Sequence, residues 1–221
     1  MSTWFKTEPS DRVIAAQLTI HGDDKGLCLM PTVAPIQCVV VPIIYKEKEA
    51  TVKKAVEAAV KGLAGMRIYV DWSENTPGNK FYHWEMKGVP LRLEIGPRDA
   101  EAKTAVLARR DTGEKKTVQL KDLRKEVSYA LDAVSEGLKK EAAAEMKAWM
   151  TEASSMDEAK KALKEKGGII RASWCAEKAC GLEIEEALNA TLLGTNEEKP
   201  KGSCVNCKKE GRSVLLISRS Y

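Results

Sequence analysis

The stretch IQCVVVPIIYKEKEATVKKAVEAAVKGLAGMRIYVD (Ile36–Asp71) carries a fold in its own periodicity. Ile36–Tyr45 is a continuous apolar, β-branched run, the pattern of a buried strand. From Lys46 to Ala64 the spacing changes. Val52, Ala55, Val56, Ala59, Val60 and Leu63 fall on one helical face, and charges fill the other. Gly65 stops that helix, and Met66–Asp71 is a second strand. Strand, helix and strand in so short a span make a βαβ unit, whose two strands run parallel.

Further along, Thr76–Pro77–Gly78 reads as a turn or helix start, Lys80–Lys87 as a short helix and Leu91–Ile95 as an alternating strand. Ala105–Ala108 and Thr117–Leu120 flank Asp111–Thr112–Gly113, a hairpin signal. Leu120–Ala153 is rich in Ala, Leu, Glu and Lys and reads as one long helix bridging two domains. Asp157–Lys166 is a further helix, stopped by Gly167–Gly168. Ile169–Ser173 and Val214–Ser218 read as strands of a small C-terminal unit, and Asn196–Lys201 as a loop. The chain is thus α/β, divided by eye near Pro31 and Lys140 into residues 1–31, 32–140 and 141–221.

Composition narrows the function classes. The chain has 221 residues, of which 43% are hydrophobic and 31% charged, a globular rather than a disordered balance. No apolar run approaches the roughly 20 residues of a membrane span, so no membrane partner is expected. The opening residues MSTWFKTEPSD lack the build of a secretory signal, which points to a reducing compartment. Two histidines leave little room for His-based catalysis. The net charge is +4, too weak alone to name a nucleic-acid partner, but residues 32–140 hold 20 basic and 15 acidic side chains, so the excess is local.

Two motifs carry chemistry. Cys175-x4-Cys180 and Cys204-x2-Cys207 are two close pairs in a chain with six cysteines, a spacing that suits a tetrahedral zinc site of four thiolates. No open position or general base accompanies them, so such a zinc would be structural. Two redox pairs or four plain thiols are the other readings of the same spacing. Cys28 and Cys38 lie in apolar stretches and read as core. The second motif is TPGNKFYHWEMKGVPLRLEIGPRD (Thr76–Asp99), where Phe81, Tyr82 and Trp84 stand beside Lys80, Glu85, Lys87, Arg92 and Arg98. Aromatics among basic residues can clamp unpaired bases. Trp84 reads rather as a buried helix face, and Phe81 fits either role. Glu85 and Arg92 are either a surface ion pair of little energy or a guanine-reading pair. A carboxylate can accept from guanine N1–H and N2–H2, and an arginine fork matches O6 and N7.

Thr76–Asp99 resembles the anticodon-binding domain of prolyl-tRNA synthetase in its archaeal and eukaryotic form. HGDDKGLCLMPTVAPIQCVVVPI (His21–Ile43) is similar to the junction that leads into that domain, and the four-cysteine unit with the final Arg219–Ser220–Tyr221 resembles the family's zinc-binding C-terminal domain. The match runs in the expected order from about Arg12 to Tyr221. The resemblance implies a class II synthetase anticodon-binding domain, a mixed sheet with flanking helices, followed by a small α/β zinc-binding domain. It implies that residues 1–31 are the end of a catalytic domain, with Arg12 as the motif 3 arginine that binds ATP. Phe81 would stack on an anticodon base, and Glu85 and Arg92 would read the two guanines shared by proline anticodons. Asp99 and Lys115 would be further tRNA contacts, Cys175, Cys180, Cys204 and Cys207 would hold Zn2+, and Tyr221 would reach toward the active site.

Some features depart from the family. Motifs 1 and 2 have no counterpart, Ala15 stands for a glycine, and the usual aromatic near Asn79 is missing. The resemblance therefore implies the C-terminal part of a cytoplasmic proline–tRNA ligase, with ATP, Mg2+ and a homodimer belonging to the full-length parent. This chain would bind the anticodon of proline tRNA without adenylating proline on its own. A structural or interaction protein that kept the fold and lost RNA reading is the alternative, and a fragment that complements a separate catalytic chain is a third.

Overall fold

A computed structural model describes residues 11–45 and 48–219. The chain separates into two compact units, Met1–Ala142 and Ala143–Tyr221. The first holds α1 (Asp11–His21), β1 (Cys38–Pro42), α2 (Glu49–Gly62), β2 (Ile68–Val70), α3 (Pro77–Met86), β3 (Leu91–Ile95), α4 (Pro97–Ala102), β4 (Thr104–Arg109) and β5 (Lys115–Gln119). A 3-10 turn at Leu120–Asp122 leads into α5 (Leu123–Trp149), inside which the division between the units falls.

The strands order as β2-β1-β3-β4-β5. β1 pairs parallel with β2 and β3, as a βαβ unit requires, and β4 and β5 add antiparallel through the expected hairpin. Strand β1 is shorter than the apolar run Ile36–Tyr45: Cys38–Pro42 pairs in register, and beyond it Gln37 and Ile43 keep single hydrogen bonds to Leu91 and Ile95 of β3.

The two sheet faces differ. Cys38, Val40, Leu91, Leu93, Ile95, Ala105, Leu107 and Val118 pack on α2 and α5 in one core, which also takes in Cys28. On the opposite face Val39 and Val41 meet Trp84 and Val89, with Phe81 at the margin. Burial pushes the Cys38 thiol up to about 12, as expected of a cysteine that serves as a small apolar core residue. At the end of α3, Gly88 adopts φ +71, and a Cβ there would stand 2.6 Å from that of Leu27. This close approach seats the segment after α1 against α3.

The second unit holds β6 (Met150–Ala153), α6 (Met156–Glu165), β7 (Ile169–Trp174), α7 (Lys178–Leu188), β8 (Thr191–Asn196) and β9 (Ser213–Ser218). Their sheet order is β6-β7-β9-β8, with β6 and β7 parallel and the other pairs antiparallel. The expected helix over Leu120–Ala153 is therefore corrected at its end. Met150–Ala153 leaves the helix to pair with Ile169–Ala172. α7 and β8 are additions that the sequence reading lacked. The core of this unit is small and includes Cys175, Cys180 and Cys204 beside Ile170, Ile184, Leu188 and Ile217. Among the described residues no helix is long and apolar enough to cross a membrane.

Candidate functional site

The α3 helix is built to present two side chains. The Thr76 hydroxyl accepts from Asn79 N–H at 3.5 Å and Pro77 occupies the first turn, a common helix start. Phe81 and Glu85 are four residues apart and so share a face. That face meets β3 and β5. Strand register places Val39, Arg92, Ala108 and Lys115 in one row across the sheet, and Val41, Glu94, Val106 and Thr117 in the next.

Four charges of alternating sign lie on this surface. Arg92 Nη1 donates to Glu85 Oε1 at 2.8 Å, and Arg92 Nε donates to Glu94 Oε1 at 3.0 Å. Lys115 Nζ stands 3.1 Å from the same Glu94 oxygen. The guanidinium lies 4.2 Å from the Phe81 ring centroid, and Lys115 Nζ lies 5.4 Å from it. The structure thus brings together Phe81, Glu85, Arg92 and Lys115, and adds Glu94. The sequence reading passed over Glu94, although Arg92 and Glu94 two apart in a strand had to share a face. Trp84 is buried, its Nε1–H donating to Asp71 Oδ2 at 2.7 Å.

Arg110 anchors this surface at its edge, where its backbone N–H donates to Pro90 O at 2.9 Å, two residues before Arg92. Its side chain is 3% exposed, and its two Nη groups donate to Asp23 Oδ1 and Oδ2 at 2.6 and 2.8 Å. Its Nε donates to the Glu85 carbonyl at 2.9 Å. Leu27 N and Leu29 N donate to Met86 O and Gly88 O, both at 3.1 Å. The Arg110 hydrogen bond is the main cause that holds the Asp23 carboxyl down to about 2. The segment after α1 is thereby tied to the residue that displays the Glu85 carboxylate.

Asp99 lies at the start of α4. Its Oδ2 accepts from Gly96 N–H at 2.9 Å and caps α4. Arg12 is exposed in the first turn of α1. Tyr221 lies outside the described residues.

The cysteine cluster lies in the second unit. Cys175 follows β7, Cys180 sits in the first turn of α7, and Cys204 and Cys207 flank a turn between β8 and β9. Their four sulfurs all lie within 4.8 Å of one another, with three of the residues buried and Cys207 exposed. Ligands about 2.3 Å from a tetrahedral Zn2+ stand about 3.8 Å apart, and Cys180 and Cys204 Sγ are 3.6 Å apart. All six cysteines of the chain are unbridged. Ala176 and Lys208 take φ of +66 and +62, one beside each pair, which lets both pairs turn toward one point.

The environment already favours thiolate at one sulfur. Burial pushes the Cys204 thiol up, but the backbone N–H groups of Cys207, Asn206 and Cys175 outweigh it and hold it at about 7. Burial raises Cys180 to about 12, although Asn206 Nδ2 donates to its sulfur at 3.5 Å. Four converging sulfurs with N–H donors around them fit a soft divalent cation and offer no open coordination position.

Comparison with known proteins agrees with both halves. The family described as "Anticodon binding domain" matches residues 37–129, and "Prolyl-tRNA synthetase, C-terminal" matches residues 156–221. A proline–tRNA ligase of Thermococcus kodakarensis is 44% identical over 220 residues, covering 96% of this chain and 46% of the relative. One from Metallosphaera sedula is 45% identical over 219 residues, covering 96% and 45%. A Giardia lamblia prolyl-tRNA synthetase structure, solved with prolyl-adenylate, superposes with a TM-score of 0.84 at 29% identity, over 95% of this chain and 47% of that one. A Cryptosporidium parvum prolyl-tRNA synthetase, solved with halofuginone and AMPPNP, gives a TM-score of 0.85 at 30% identity, over 95% and 46%. The chain spans about half the length of the relatives it matches.

Proposed function

Because the chain belongs to the prolyl-tRNA synthetase family, through its anticodon-binding and C-terminal domains, we propose that it reads the anticodon of proline tRNA. The observation that supports this reading most is the Glu85–Arg92 pair, set on one sheet face between Phe81 and Lys115. In the free protein the two groups neutralise each other. Two adjacent guanines offer each a better partner: N1–H and N2–H2 for the carboxylate, O6 and N7 for the guanidinium. The stacked Phe81 ring and Arg92 guanidinium provide flat surfaces for unstacked bases, and Lys115 contributes positive charge. Residues 32–140 form the reading domain in this proposal, and Asp99 supports it by capping α4.

We further propose that Cys175, Cys180, Cys204 and Cys207 hold a structural Zn2+ in residues 141–221. ATP and Mg2+ use, prolyl transfer, dimerisation and a cytoplasmic location belong in this reading to the full-length enzyme, with Arg12 as its ATP contact. The test is a gel shift with an anticodon stem-loop RNA of the proline type. Changing either guanine is expected to weaken binding by roughly 1–3 kcal/mol. Equal binding to unrelated stem-loops, abolished at moderate salt, would show nonspecific electrostatics and defeat the proposal.

A further inference from the structure

We propose that Glu94 is a specificity-determining positioning residue. It fixes which edge of Arg92 faces RNA, and this inference rests on the anticodon reading above. Glu94 sits one pleat from Arg92 on the same strand and face, with Val41 and Val106 beside it in its row. Its side chain is 10% exposed, on a face meant for a polyanion. A carboxylate there opposes RNA electrostatically and costs desolvation, so on charge alone it has no place. Its geometry supplies the reason. One oxygen accepts Arg92 Nε at 3.0 Å and meets Lys115 Nζ at 3.1 Å.

The two carboxylates that share Arg92 are not equivalent. Glu85 is 33% exposed and holds Nη1, whereas Glu94 is 10% exposed and holds Nε. An incoming guanine can displace the outer carboxylate into solvent or onto a base, but the inner one has nowhere to go. With Nε retained by Glu94, the terminal Nη1/Nη2 edge is the one left to meet O6 and N7. A guanidinium without this hold can present either edge or turn to a phosphate, and each alternative forfeits base discrimination.

The test uses the full chain, the guanine-bearing anticodon stem-loop and loops with each guanine replaced by adenine. Glu94→Gln is expected to bind the guanine loop about tenfold more weakly, the scale of one charge-assisted hydrogen bond, and to discriminate less at the base Arg92 reads. In an Arg92→Met background the same change should add nothing further to the loss of discrimination. Simple electrostatics gives the opposite sign, since removing a negative charge from an RNA-binding face tightens binding. Equal or tighter binding by Glu94→Gln with discrimination intact would overturn the inference alone. Loss of guanine preference in the unaltered chain would overturn the anticodon reading and this inference with it. A second readout needs no variant at position 94. The Arg92 Nε–Hε NMR resonance, assigned with Arg92→Lys, should hold its shift and its slow solvent exchange when the stem-loop binds. Its loss on binding would overturn the inference even if Glu94→Gln fails to fold.

Discussion

Buried charge on an open sheet face is the residue-level fact from which the site's behaviour follows. Each charge of the Glu85–Arg92–Glu94–Lys115 series is satisfied by a neighbour of opposite sign, so the free protein holds these side chains in place without an exposed cationic hole. Arg110 applies the same logic at the edge of this surface, where its buried guanidinium relies on Asp23 and the Glu85 carbonyl. Asp23 is 49% exposed, so solvent screens the pair, and Asp23→Asn is expected to destabilise the first unit by only about 1 kcal/mol near neutral pH. The pH dependence has a definite sign. The folded carboxyl is held at about 2 against an ordinary value of 3.8, so its stabilisation is fully present above 3.8 and is lost as pH falls through about 2. Urea unfolding of wild type and Asp23→Asn should differ by a constant amount from about pH 7 to 5, and the curves should converge as pH falls from about 4 toward 2. A gap that persists undiminished at about pH 2 would assign the effect to packing instead.

At the level of elements, α3 decides whether Phe81 and Glu85 share a face at the right height over β3. Its start rests on the Thr76 cap and its end on Gly88. Thr76→Ala is expected to cost about 1 kcal/mol, seen as faster amide exchange over the first turn of α3, with weaker stem-loop binding to match. Such an element was readable because its signals are local: Thr-Pro-Gly before it, a glycine after it, and a pair four residues apart. The βαβ unit was readable for the same reason, as the apolar spacing switches between β1, α2 and β2. What could not be read depends on pairing across the chain. Met150–Ala153 continues a helix-like composition and becomes a strand only because β7 is there to receive it. α7 carries a helical signal in the recurrence of Cys180, Ile184 and Leu188, but the stretch is short and its first buried position is a cysteine, which weakens the apolar pattern. Glu94 stands in an alternating strand with nothing local to single it out, and its partner Lys115 is brought to it only by β5. Asp99 shows the reverse, a residue carried over from the family whose carboxylate the local backbone uses.

At the level of the whole molecule, the two units solve the problem of stability differently. The first has a large core in which the β-sheet packs against α2 and α5. The second has a short sheet, a small core and three of its four clustered cysteines inside that core. A core of this size gains little from apolar burial, whereas a structural zinc site contributes on the order of 10–16 kcal/mol of apparent binding energy to folding. The cluster also closes the long connection between Cys180 and Cys204, which raises the entropy the second unit would regain on losing the metal. Purified chain should therefore carry about one zinc per molecule. Chelation should raise amide exchange across β6–β9 while the exchange of β1, β3 and β4 stays slow. Cys204→Ser should reproduce the chelated pattern without chelator, since it removes a buried sulfur that backbone N–H groups hold toward its thiolate form. Guanine discrimination measured on the chelated chain then separates support from recognition. If zinc serves only the fold of the second unit, discrimination by Glu85 and Arg92 persists after chelation. If discrimination falls along with the exchange protection of β6–β9, the second unit takes part in reading RNA.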